Sequence, residues 1–277
     1  MADLIESQVW ILLCVLVGVG LAILVRRFYI RPSRGPTQDD GSRFTDALTY
    51  VSGVIGILFG LLLLFTVQHY TDTATLAKEQ AVSYAAAFDE TEVLPPASAV
   101  AVQRGLVCVM RATATDFWAA AERGDLTGDA NVLAWHHRVV KDLSKIAGSS
   151  GLEESARSSI SSNLTEAETA GQGLLFNAKG NLPFVALLVI WVGTAVLSFL
   201  MALSLLDRPR LAVAMITSMT VLTLAVMAAL TTFASPFTPI GPTVSPDALN
   251  AVMLRLEAAN PGPIWATCER LEPSKTQ

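Results

Sequence analysis

The chain has 277 residues, 52% of them hydrophobic and only 16% charged, with a net charge of -5 at pH 7 and a mean hydropathy of +0.49. Soluble globular domains carry about 25% charged residues, so this composition indicates a membrane protein, and the acidic balance leaves no basic footprint for nucleic acid. Three scattered cysteines, Cys14, Cys108 and Cys268, form no Cys-x-x-Cys pair, and His69, His136 and His137 are too few for most histidine-based metal centres; no cofactor or metal is expected.

A helix crosses a bilayer core with about 20 apolar residues. Four stretches are expected to meet that length without an internal charge: Val9–Val25, roughly Ala47–Val67, Pro183–Leu206 and Leu211–Ala234. The first follows an acidic leader, "MADLIESQ", and is followed by Arg26 and Arg27. That is the pattern of an anchor, since a cleavable signal places its basic residues ahead of the apolar run.

Arginine and lysine near span ends orient the spans. Arg26, Arg27, Arg31, Arg34 and Arg43 follow the first span, and Arg208 and Arg210 lie between the third and fourth. On the opposite side only Lys78 and Lys179 lie close to a span. Both short connectors are therefore expected in the cytoplasm, with both termini and the long segment between spans two and three outside it. That segment has nine basic side chains against fourteen acidic ones, but long segments translocate largely regardless of charge.

The long segment reads as helices. No turn residue separates the second span from Tyr70–Phe88, so one helix is expected to leave the bilayer and run to about Glu92, where Pro95 and Pro96 stop it. In the next stretch Leu106, Val107, Met110, Ala114, Phe117, Trp118 and Ala121 share one helical face. Gly124 and Gly128 mark a turn. A helix over roughly Ala130–Ile146 buries Val132, Trp135, Val139 and Leu143, "GSSG" breaks it, and a last helix over about Leu152–Lys179 returns to the third span. Beyond the fourth span a proline-rich stretch leads to a short amphipathic helix, with Ser245 expected as its N-cap, Pro246 first in the helix and Asp247 in the first turn.

The expected fold is thus an all-α integral membrane protein of four transmembrane helices, two plus two, with a helical soluble insert between the second and third. The parts are 1–68, the first two spans with a basic connector; 69–182, the insert; 183–234, the third and fourth spans; and 235–277, a Pro-rich tail with a short helix. The lipid bilayer is the one partner this order requires, and the setting expected is the plasma (inner) membrane of a bacterium.

Four motifs occur in sequence: "YVSGVIGILFGLLLLF" in the second span, Glu79 in "KEQA", "NLPF" opening the third span, and "SPFTPIGPTVSPDAL" after the fourth. In this order and spacing they resemble the uncharacterised bestrophin-like domain family, domain of unknown function 4239, over most of Ala47–Glu257. The resemblance implies an oligomeric channel conducting small anions. The chain departs from the family in "ETAGQGLLFNAKG", where relatives often carry two arginines a turn apart and this chain has only Lys179. Bestrophins keep their helical insert in the cytoplasm, whereas the arginine distribution here places it outside.

On the second span, Gly53, Gly56 and Gly60 lie on one face, suited to close packing against a neighbouring span. A different face carries Ser52, Ile55, Phe59, Leu62 and Thr66; ringed about an axis, these residues would form a narrow apolar neck with hydroxyls at both ends, the kind of constriction that gates ions by dewetting. The membrane-depth hydroxyls of Thr194, Ser198, Thr217, Ser218, Thr220 and Thr223 suit helix packing, and no intramembrane acid or base marks a proton-coupled path. His136 and His137 point about 100° apart on a helix and suit a surface or interface better than one shared metal ion. Glu153 and Glu154 open a helix, where the dipole favours them. No GxSxG, HExxH or P-loop motif is present, so an enzyme is not expected. Cys108 and Cys268 fall on the same outer side, where an oxidising compartment permits a bridge, and Cys14 lies in lipid. Two readings follow: the anion channel, and a membrane-anchored helical module that binds an extracytoplasmic partner.

Overall fold

The computed structural model describes residues 2–28, 38–123, 125, 130–146, 150–178, 184–204, 209–237 and 243–271. Gly124, Gly128, Gly148, Lys179, Pro183, Arg31, Arg34 and Arg208 lie outside them. The regular structure among the described residues is all helical, with no strand: α1 Ala2–Phe28, α2 Gln38–Asp89, α3 Pro96–Ala112, α4 Trp118–Arg123, α5 Ala130–Ser144, α6 Gly151–Ala178, α7 Phe184–Ser204, α8 Pro209–Ala234 and α9 Asp247–Ala259. The chain divides into two compact units, 1–68 with 181–234 and 69–180 with 235–277. The 52-residue α2 contributes to both.

The first unit is a set of apolar helices. Leu48–Val93, Ala186–Leu203 and Arg210–Ala234 are long and apolar enough to cross a membrane, while Val9–Val25 is apolar but shorter. Ile11, Ile190, Met227 and Leu230 form its buried centre. The close approach in this unit belongs to α1 and α7. A Cβ on Gly18 would stand 2.5 Å from the Ala195 carbonyl oxygen, so α1 meets the α7 backbone where only glycine fits.

The second unit is a helical bundle with a dense core. Ala81, Tyr84 and Phe88 of α2, Val102, Leu106 and Met110 of α3, Trp135, Val139 and Leu143 of α5, and Ile160 and Leu164 of α6 are all buried in one cluster. The apolar stripes legible in the sequence are these faces. α2 tightens into a single 3₁₀ turn, Glu90–Val93, before Leu94 extends and Pro96 opens α3; proline at the first helical position gives up only an N–H that would lack an intrahelical partner. The expected single helix after Pro96 is interrupted by a π-helical turn, Thr113–Phe117. The N-cap expected at Ser245 is also displaced. Pro246 holds the cap position, and the Ser245 hydroxyl donates to Asp247 Oδ2 at 2.6 Å instead of receiving a backbone N–H.

Candidate functional site

The first half of α2 is the segment on which the neck and packing residues were expected. It is apolar nearly all round, and such a helix does not announce which side faces inward. Ile55 is buried, and its Cδ1 would be 3.3 Å from a Cβ on Gly193 of α7. Phe59 and Leu62 are half-buried against the cluster of Ile11, Ile190, Met227 and Leu230. Thr66 is buried and donates to the Leu63 carbonyl at 2.9 Å. Ser52 is exposed and donates to the Thr49 carbonyl at 3.0 Å. Four of the five expected lining residues therefore turn into the chain's own helices. The free side of α2 carries Ile57 at 66%, Leu61 at 45% and Phe65 at 62% exposure, spaced i, i+4, i+8.

Gly53, Gly56 and Gly60 each have open space where a Cβ would stand, so none makes a close helix contact within the chain. Gly56 and Gly60 instead border, with Ser52, Ile55 and Phe59 of the expected lining, an apolar cavity of about 730 Å³ whose other walls include Met201 of α7 and Met215 and Met219 of α8. Its hydroxyls are spent on their own helices: Ser218 donates to Ala214 at 2.9 Å and Thr223 to Met219 at 3.0 Å. Thr194 and Ser198 of α7 do the same, at 2.7 Å each. These back-bonds satisfy hydroxyls at apolar depth without a cross-helix partner, and such a lining can pass or hold an uncharged or weakly hydrated species but offers no acid–base chemistry.

The second unit carries the polar features. Tyr84 of α2 is fully buried, and burial pushes its phenol up to about 12, opposed by the Thr113 hydroxyl beside it and reinforced by Glu168. His136 of α5 has its Nε2 3.7 Å from Glu168 Oε2 of α6, beyond hydrogen-bond length. Burial pulls the imidazole below its ordinary value; Glu168 pulls up and His137 down. A cavity of about 40 Å³ separates these groups, bounded also by Gln80, whose Nε2 donates to the Ala167 carbonyl at 3.3 Å. No group of three His, Cys, Asp or Glu able to hold a metal occurs among the described residues.

Cys108 and Cys268 are joined, with an S–S distance of 2.06 Å and Cα atoms 5.6 Å apart. The bridge is one of a row of tethers. Arg104, Cys108 and Arg111 lie at i, i+4, i+7 along α3. Arg104 donates to the carbonyls of Pro263 and Thr267 at 3.2 and 3.3 Å, and Arg111 to those of Ala266 and Trp265 at 2.8 and 2.9 Å. On α5, Trp135 Nε1 donates to the Glu269 carbonyl at 3.2 Å, and Asn131 Oδ1 accepts from the Leu271 N–H at 3.0 Å. The tail after α9 is thereby strapped along α3 and α5. The arginine spacing was visible in the sequence, but backbone carbonyls carry no residue-type signature, so the strap was not.

The geometry defines a class: an all-helical protein with three candidate membrane-spanning helices and a helical bundle closed by a bridged tail. The chain belongs to the bestrophin-like domain family, whose domain matches residues 12–246. Its fold resembles a bacterial bestrophin homologue from Klebsiella pneumoniae, known from several crystal structures. One substituted form shares 13% identity at a TM-score of 0.65, covering 93% of this chain and 100% of that one. A second substituted form shares 13% at 0.64, covering 91% and 99%. A form solved by zinc phasing shares 12% at 0.64, covering 90% and 96%. No curated protein matches the sequence.

Proposed function

We propose that the protein is an oligomeric bestrophin-like channel for small anions in the plasma (inner) membrane, with the free side of α2 facing a central axis. The observation that carries this reading is the stripe of Ile57, Leu61 and Phe65: three bulky apolar residues, exposed in the isolated chain, at the spacing that stacks three rings when copies of a helix surround an axis. Apolar rings gate by excluding water until the pore widens. We favour this stripe over the Ile55, Phe59, Leu62 and Thr66 face as the neck because those four side chains are buried or half-buried within the chain.

α1 completes a four-span arrangement. Its apolar stretch, Val9–Val25, lies at the short end of the roughly 17–25 residues that cross a bilayer core. The seven connector arginines favour a cytoplasmic position for both short connectors. The Cys108–Cys268 bridge independently favours an oxidising compartment for the insert and tail. Two unrelated physical arguments thus support an extracytoplasmic insert.

The test is halide efflux from proteoliposomes together with the oligomeric state in detergent. We expect a closed ring, and Leu61→Ala or Phe65→Ala to raise flux on the order of tenfold by widening an apolar constriction, while Val213→Ala on α8 leaves it unchanged. A monomer with flux no greater than empty liposomes overturns the reading and favours the membrane-anchored module that binds an extracytoplasmic partner.

A further inference from the structure

We propose that Cys268 is a thiol–disulfide exchange site, and that the Cys108–Cys268 bridge is a reducible clasp governing the tail strap. The two sulfurs differ in access. Cys108 is fully buried in the bundle core, whereas Cys268 is partly exposed. Ala266, Thr267, Glu269 and Arg270 around it are exposed, and the segment from Thr267 to Leu271 has no helix. An accessible, non-helical peptide around the disulfide is a form in which the cleft of another protein can take a chain segment.

A cavity of about 330 Å³ opens directly onto the bridge, walled on one side by Thr267, Cys268 and Arg270 of the strap and on the other by Arg111 and Trp135. It gives a nucleophile a route to sulfur, and its wall carries charge of both signs, Arg111 and Arg270 with Asp116 and Glu269. The strap itself is one wall, so freeing it dismantles the cavity.

The reaction is a two-step exchange with a dithiol reductant. Its thiolate attacks Cys268 Sγ, the S–S bond breaks, and the electron pair leaves on Cys108 Sγ, which takes a proton in its buried position. The second thiol of the reductant then attacks the mixed disulfide, releasing the Cys268 thiol and leaving the reductant as a disulfide. Two electrons and two protons pass to the protein. Ile264 and Trp265 are seated in the bundle core and anchor the start of the strap; beyond them the chain is held by hydrogen bonds from Arg104, Arg111 and Trp135 to carbonyls and from the Leu271 N–H to Asn131, each individually weak against water, so the covalent link decides whether residues 266–271 stay closed. This proposal is independent of whether the protein conducts ions.

The experiment uses the purified full-length protein with dithiothreitol as probe, followed by maleimide labelling and hydrogen exchange. The oxidised protein should leave both cysteines unlabelled. After reduction, Cys268 should label ahead of Cys108, and amide exchange over residues 266–271 should accelerate about tenfold or more, while Leu106 and Val139 in the core stay protected. Reoxidation should restore the original pattern. Cys268→Ser should free the same tail without reductant, and reduction of the unaltered protein decides the question if that variant does not fold. Unchanged exchange in the tail with the bridge fully reduced overturns the proposal, because the hydrogen bonds alone then hold the strap. So does a bridge that yields only after denaturant, or a core that loses protection together with the tail.

Discussion

Gly18 and Gly20 sit two residues apart on α1, and their surroundings differ sharply. A Cβ on Gly18 meets the Ala195 carbonyl oxygen at 2.5 Å, while one on Gly20 meets nothing within 4 Å. A backbone carbonyl cannot rotate away as a side chain can, so Gly18→Val must push α1 off α7. We expect that change to cost about 1–3 kcal/mol, the usual range for overpacking. Gly20→Ala should be neutral or add about 0.5–1 kcal/mol by removing backbone freedom from the unfolded chain. Thermal unfolding in detergent checks the pair; equal effects at both sites would mean that α1 and α7 do not meet at Gly18. At this scale sequence reasoning singled out Gly53, Gly56 and Gly60, because three glycines in register look like a packing face. The open space above all three, and the role of Gly18, depend on which helix lies opposite, and residue type does not encode that.

Along single elements the apolar stripes were well marked. Trp135, Val139 and Leu143 of α5 are buried as their spacing requires, and so are Leu106, Val107, Met110, Phe117, Trp118 and Ala121 on the far side of Pro96. The π-helical turn at Thr113–Phe117 went unread because a shifted backbone hydrogen-bond register leaves no mark in apolar periodicity this short. The packing of α5 on α6 has a consequence at mildly acidic pH. The groups near His136 are Glu168 at 3.7 Å, Tyr84 across the small cavity, and His137 on its own helix. Burial holds the imidazole below its ordinary value, so the folded state prefers it neutral. A lowered histidine value means stability is complete above the unfolded value and is lost as pH falls through the folded one. Lowering the pH from 7 to 5 should therefore reduce the unfolding temperature, and His136→Gln should flatten that dependence. Glu168→Gln removes the charge that favours the imidazolium and should carry the acid transition to lower pH. A slope unchanged in His136→Gln would assign the acid sensitivity to other groups.

At the scale of the whole molecule, the bridge closes a sequence separation of 160 residues and, on an entropic account, contributes about 2–4 kcal/mol by restricting the unfolded chain. It also makes sidedness measurable. An impermeant thiol reagent applied to intact cells should label nothing at first, then label Cys268 after mild reduction. Labelling that requires permeabilised cells would reverse the orientation argued from Arg26, Arg27 and Arg210. Either result leaves the fold intact, because the all-helical architecture and family membership rest on other grounds.

Helix content, the apolar stretches and the inward faces of the bundle were determined by the sequence alone, since they follow from local properties: periodicity, charge placement and proline. Three matters were decided only by the tertiary structure. One was the side of α2 left uncovered, because a helix apolar all round has no preferred face until its neighbours are present. Another was the glycine at which two helices touch, because close approach belongs to the pair and not to either member. The last was the strap of Pro263–Leu271 on α3 and α5, because the strap makes its hydrogen bonds through main-chain carbonyls and one main-chain N–H, groups that carry no mark of residue type.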